Sequence, residues 1–189
     1  MTEPFMFATS AELPPGTYSY RAPVRFKDPE KAIRLILMDT PVMAGDREFY
    51  SADYVAENTD YAKAAIDNTA QIGFRLSRDR DVVSIRSSKA SGIPCAAALL
   101  LQGPKRRARI MAAITDMLKK NGMPDAGSHY FVFVTPDEIL MADKSKLRPG
   151  VLRKTLRNIK NRLESGDPGI LLSTEVLEYD PAEDVFQEV

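Results

Sequence analysis

Residues 99–115 read LLLQGPKRRARIMAAIT. An apolar run stops at Gly103-Pro104, and a basic segment follows in which Ile110, Met111, Ile114, Met117 and Leu118 recur at helical spacing. Gly103 lets the backbone approach a ligand closely, and Pro104 presets a first helical turn without losing a needed donor. The next amides have no partner inside the helix. Lys105, Arg106 and Arg107 therefore stand where N–H groups point outward, as in an anion site, and phosphate is the expected anion. Three cations here oppose the helix dipole and call for a compensating anion; a solvated basic first turn is the alternative. The helix is expected over residues 104–120, with Lys119 and Lys120 favourable at its C-terminal end and Gly122 as its stop.

Outward from this point, residues 94–102 (PCAAALLLQ) read as a strand feeding the helix, although the alanines also suit a helix. Residues 81–86 (DVVSIR) and 129–134 (HYFVFV) read as strands, and 17–26 (TYSYRAPVRF) as an edge strand because of Pro23. Asp28-Pro29-Glu30 has the form of a helix start leading through Ala32, Ile33, Leu35, Ile36 and Leu37 to an end near Thr40-Pro41. Pro136-Asp137-Glu138 reads as the start of a short helix. Residues 51–74 read as one helix or two, 149–163 as an amphipathic helix, and 170–172 and 176–179 as terminal strands. Strands and helices interleave, so the class is α/β (mixed α+β). The length suits one domain over residues 1–189, with an irregular arm at 1–16 and an acidic C-terminal tail at 175–189.

The formal net charge of zero conceals a strong polarity. Residues 105–162 carry 14 Lys and Arg against 5 Asp and Glu, whereas 163–189 carry 8 acids and neither Lys nor Arg. The basic stretch suits a polyanion, and the acidic one could screen it in cis or against a partner. The single Cys95 excludes an internal disulfide, and His129 is the lone histidine, so a metal ion would have to be held by carboxylates. No apolar stretch approaches the roughly 20 residues needed to cross a bilayer, and the N-terminus lacks signal-peptide features. A cytoplasmic protein is expected, without an integral membrane segment and at most peripheral at the inner membrane.

The second basic constellation is Arg153, Lys154, Arg157, Lys160 and Arg162 on the helix after Pro149. Arg153, Arg157 and Lys160 fall at i, i+4 and i+7, so they share a face that could track a phosphate backbone or simply be solvated. Arg75, Arg78, Arg80, Arg86 and Lys89 could line the phosphate site or pair with Asp79 and Asp81 on a loop. The paired acids are Asp46 with Glu48, Asp79 with Asp81, and Asp137 with Glu138, the last best explained as a helix first turn. His129 reads as an acid–base candidate or as a strand-edge residue.

Gly103-Pro104-Lys105-Arg106 matches the G-x-x-R minimum shared by ParB-type partition proteins and sulfiredoxins, and Gly92-Ile93-Pro94 resembles the entry that ParB proteins place before the preceding strand. In length, in its N-terminal MTEPFMF and in this motif the chain resembles plasmid-encoded fertility inhibition (oncogenic suppression) proteins. The resemblance implies a ParB/sulfiredoxin-like fold with added helices, ATP binding, and ATPase and DNase activity that blocks DNA transfer through a type IV secretion system. Residue by residue it reaches Gly103, Lys105 and Arg106, which it implies bind nucleotide; Lys105, Arg106 and Arg107 are the expected catalytic cations. The implied cofactors are ATP and a divalent metal ion, Mg²⁺ for preference. DNA, a relaxase–DNA complex or secretion components are the implied partners. Pro104 stands where sulfiredoxins have their catalytic cysteine and ParB proteins a glutamate, so neither role carries over. Two other readings are a non-catalytic inhibitor that binds DNA or a secretion component and blocks it, and an interaction module whose acidic tail docks a basic partner.

Overall fold

The computed structural model describes residues 5–10, 19–39, 73–88, 95–100, 106–166 and 171–189. Its centre is a seven-stranded sheet ordered β3-β10-β9-β7-β8-β6-β5, where β3 is Val24–Arg25, β5 Phe74–Asp79, β6 Val82–Ser87, β7 His129–Thr135, β8 Glu138–Asp143, β9 Leu177–Asp180 and β10 Val185–Glu188. Every pairing is antiparallel except β3 with β10, which makes the sheet mixed. A smaller antiparallel sheet joins β1 (Phe5–Ser10), β4 (Arg34–Asp39) and β2 (Ser19–Arg21) in the order β1-β4-β2. Helices α1 (Cys95–Leu100) and α2 (Arg106–Lys120) pack on one face of the large sheet and α3 (Pro149–Gly166) on the other, an α/β architecture.

Side-chain alternation along the strands builds these layers. Phe131, Phe133, Ile139, Met141, Val83 and Ile85 face α1 and α2 together with Leu99, Leu100, Ile114 and Leu118. Val132, Val134, Leu140 and Ala142 point the other way and meet Leu152 and Leu156 of α3. Strands β7 and β8 are thus apolar on both faces, which is why HYFVFV reads as an unbroken hydrophobic run. The helices at 106–120 and 149–166 match their sequence patterns. Gly122 (φ 71°) ends α2: its N–H meets Lys119 O at 3.0 Å, and the Met123 N–H meets Leu118 O at 3.0 Å, the two bonds of a Schellman cap.

Several expected elements differ. Residues 95–100 form a helix rather than a strand; the alanines favour it, and the buried Cys95, Ala96, Ala98, Leu99 and Leu100 do not alternate with exposed residues as a half-buried strand would. Asp28-Pro29-Glu30 starts a turn and not a helix. Asp28 Oδ1 accepts from Glu30 N–H at 2.9 Å, and the buried, exposed, buried order of Ile33, Arg34 and Leu35 leads into β4. Pro136-Asp137 is the two-residue turn of the β7–β8 hairpin, with Thr135 opposite Glu138. The strand expected at 17–26 is split into β2 and β3 around Ala22-Pro23. Part of the expected arm, Phe5–Ser10, is β1. Strand β5 places Arg75 and Arg78 on a strand and not a loop. Leu172 and Ser173 donate to Val134 O and Phe133 O along β7 without forming a strand. The helical reading of 51–74 lies outside the described residues except at Gly73 and Phe74.

The segment at 175–189 is folded. Strands β9 and β10 form a hairpin inside the large sheet, and Phe186 is fully buried against Phe131 and Phe133, each at a ring-centroid distance of 5.1 Å. Its acids are engaged within the fold: Glu175 with Lys31, Glu178 with Lys144 at 3.3 Å, Glu183 with Arg25, and Glu188 with the Lys27 N–H at 2.8 Å.

Candidate functional site

Helix α2 begins at Arg106, directly after the segment expected to bind phosphate. Gly103 and Lys105, and the Arg106 side chain, lie outside what the structure describes. Arg107 is described, and it is fully buried. Its Nε donates to Leu99 O at 2.8 Å and its Nη2 to Leu100 O at 2.9 Å, closing the carbonyls left open at the C-terminus of α1. Its Nη1 donates to Asp184 O and stands 3.4 Å from Asp184 Oδ2. The residue expected to act on a phosphate as a catalytic cation is instead directed inward, because two orphan carbonyls and a carboxylate surround its guanidinium. Tyr179 completes the group by donating to Asp184 Oδ1 at 2.6 Å; burial, with Asp184 nearby, pushes its phenol up to about 12.

The cations of α3 are placed differently. Leu152 and Leu156 hold the helix to the sheet, and Arg153, Lys154, Arg157 and Arg162 are exposed, with Lys160 half-buried. Lys146 and Arg148, also exposed, precede the helix, and Pro149 occupies its first turn. Arg153 leans toward the C-terminal hairpin and donates to Val189 O at 2.6 Å. The expected face of Arg153, Arg157 and Lys160 is therefore one flank of α3, and Lys154 stands on its outer crest.

On the opposite flank a groove of about 290 Å³ opens between α3 and the β5–β6 hairpin. Val82, Leu140, Leu152, Leu156 and Ile159 form its floor; Ser77, Arg78, Ser84, Arg86, Glu138 and Thr155 are among its polar lining. Glu138 is held in place, accepting from Ser84 Oγ at 2.8 Å and pairing with Arg86 at 3.1 Å. This cross-strand group replaces the expected helix-start role of Asp137 and Glu138. Asp137 instead accepts from the Ser87 N–H at 3.3 Å.

His129 is buried and pairs across β7–β8 with Asp143. Its Nδ1 carries the hydrogen, since its partner at 2.8 Å is the carbonyl Asp125 O. Burial alone would raise the Asp143 carboxyl, but donation from Ser145 Oγ and N–H and the nearby charges of His129 and Lys146 hold it below the usual carboxylate range. Arg78, Arg80, Asp81 and Lys146 border the same recess, whose volume of about 10 Å³ seats at most one water. Asp143 was not legible as a partner for His129, because only the β7–β8 register brings them opposite each other.

Cys95 is buried in α1, and burial, with Asp137 adding to it, pushes its thiol up to about 12, so it carries no thiolate chemistry near neutral pH. Among the described residues no three His, Cys, Asp or Glu side chains group as metal ligands. Asp46 and Glu48 lie outside those residues, while Asp79 ends β5 and Asp81 lies in the β5–β6 turn. No described helix is long and apolar enough to cross a membrane. No family model, curated protein or solved structure matches the chain.

Proposed function

We propose that the protein binds DNA without sequence specificity through the basic surface of α3 and acts as a fertility inhibition factor, blocking DNA transfer through a type IV secretion system by nucleotide-regulated DNA cleavage. The observation that carries the DNA-binding part is the exposure of Lys154, Arg157 and Arg162 on a helix preceded by the exposed Lys146 and Arg148. Such a surface suits a phosphate backbone, whose affinity comes from counterion release. Gly103, Lys105 and Arg106 keep the nucleotide-phosphate role in this reading, supported by the start of α2 at Arg106. ATP and a divalent ion belong to that part, and the ion would stabilise charge on the reacting phosphate. Arg107 has no part in the chemistry, since it is committed to Leu99, Leu100 and Asp184.

The double variant Lys154→Ala/Arg157→Ala is expected to weaken duplex binding and to lower the slope of log affinity against log salt by about 2, at roughly 0.9 per lost phosphate contact. Fluorescence anisotropy over a salt series measures both; an unchanged slope sinks the α3 assignment. For the catalytic part, Lys105→Ala/Arg106→Ala in a folded protein is expected to abolish ATP hydrolysis and DNA degradation together. A second reading, blockade without turnover, is favoured by the burial of Arg107, which withdraws one of the three expected catalytic cations. Inhibition at one protein per DNA target, with intact DNA recovered, selects that reading.

A further inference from the structure

His129 is 1% exposed, and the bond from its Nδ1–H to Asp125 O leaves Nε2 as an acceptor with no partner among the described residues. A buried acceptor without a donor costs free energy unless a water or a ligand supplies one. The recess that His129 lines has a volume of about 10 Å³, the room that one water needs. Asp143 lines it too; its Oδ1 takes the Ser145 N–H and hydroxyl, and its Oδ2 has no partner among the described residues. The two buried polar side chains of the recess are therefore both acceptors. A water seated there gives one hydrogen to each and turns its lone pairs outward.

What stands outside is cationic. The β5–β6 register sets Arg78 opposite Val83, on the face of the sheet that carries Phe131 and His129, and its Nε donates to Arg80 O at 3.0 Å, which ties it to the β5–β6 turn. Arg80 has φ 54°, in the left-handed region that favours glycine or asparagine, so the turn bears backbone strain with an arginine at the rim. Lys146 ends a turn in which its N–H meets Asp143 O at 3.1 Å. All three cations are exposed, none has an ion-pair partner among the described residues, and together they outnumber the carboxylates of the recess, Asp81 and Asp143. The recess lies beside Met123 and Pro124, past the C-terminal end of α2, whereas Lys105 and Arg106 stand at its start; the 15 residues between span about 22 Å, so the two basic places are separate.

We propose that this recess is a second phosphate-handling site, in which His129 and Asp143 hold a water for attack on a phosphodiester bound by Arg80, Lys146 and Arg78. The water oxygen bonds to phosphorus as its proton passes to His129 Nε2; the ester P–O bond breaks, the leaving oxygen takes a proton from solvent, and His129 returns its own, giving a phosphate monoester and an alcohol. The cations offset the charge that builds on the phosphate oxygens. For its natural substrate, a DNA phosphate reaching Lys146 from α3 by way of the exposed Arg148, the inference rests on the DNA cleavage proposed above, but not on the roles given there to Lys105 and Arg106.

The test is hydrolysis of bis(p-nitrophenyl) phosphate, a diester too small to need α3, by the full chain with and without ATP and Mg²⁺. Saturable hydrolysis is expected. His129→Asn, whose amide keeps a donor for Asp125 O but lacks Nε2, is expected to lower kcat about 100-fold or more. Arg80→Gly/Lys146→Ala, at two exposed positions of which the first favours glycine, is expected to raise KM about tenfold. Thermal unfolding checks that each variant is folded. A wild-type chain inert toward the diester, a folded His129→Asn with unchanged kcat, or Arg80→Gly/Lys146→Ala with unchanged KM overturns the proposal, and the last decides it where the buried substitution does not fold. The two readings fail separately. DNA degradation by a chain that leaves the small diester intact removes this site and keeps the earlier reading, whereas cleavage of both that survives Lys105→Ala/Arg106→Ala removes the catalytic role of those residues and keeps this site.

Discussion

Arg107 shows how one side chain can decide between two roles that its sequence context leaves open. A cation in the first turn of a helix opposes the dipole, and an anion was the expected compensation. The structure provides it internally: two carbonyls from the end of α1 and the Asp184 carboxylate on the β9–β10 turn. Removing the guanidinium leaves the Leu99 and Leu100 carbonyls buried without their donor, so Arg107→Met is expected to cost roughly 3 kcal/mol of unfolding free energy, read from urea titrations. Tyr179 tests the same network by pH. Its phenol is raised to about 12 in the fold, so the contribution of its neutral form is complete below the unfolded value near 10 and is lost as pH rises toward 12. Tyr179→Phe is expected to lack that alkaline loss when stability is followed across this window.

At the scale of elements, α2 and α3 were legible because amphipathic periodicity over more than three turns outweighs local ambiguity. The stop of α2 was legible too, and it carries a sharp test. No atom outside Gly122's immediate neighbours lies within 4 Å of a Cβ placed there, so Gly122→Ala is expected to destabilise by about 1 kcal/mol through backbone strain alone, measured by thermal unfolding. Short elements were not legible in the same way. The six residues of α1 and the dipeptide Pro136-Asp137 carry signals shared by two structures, and their neighbours chose. Alanine-rich CAAALL, with Cys95, Ala96, Ala98, Leu99 and Leu100 buried in the core, is a helix, and two flanking apolar strands made Pro-Asp a hairpin turn.

Across the whole molecule, the acidic C-terminal segment is part of the sheet, and this reverses the expectation for a truncation. A docking tail could be deleted after Tyr179 with little loss of structure, whereas here the deletion removes β10 and takes Phe186 out of the core. That truncated chain is expected to unfold, seen as loss of cooperative melting, and Phe186→Ala alone to cost about 3–5 kcal/mol. The sequence by itself determined the α/β class, the two long helices, the β7 strand and the concentration of positive charge, because periodicity and charge are local properties of the chain. Tertiary structure alone decided which cations reach solvent, that His129 lies opposite Asp143, that Glu138 joins Ser84 and Arg86 beside α3, and that the acidic segment is a hairpin within the large sheet. Each of these depends on strand register and on what packs against each face, contacts between residues far apart in sequence that no local pattern encodes.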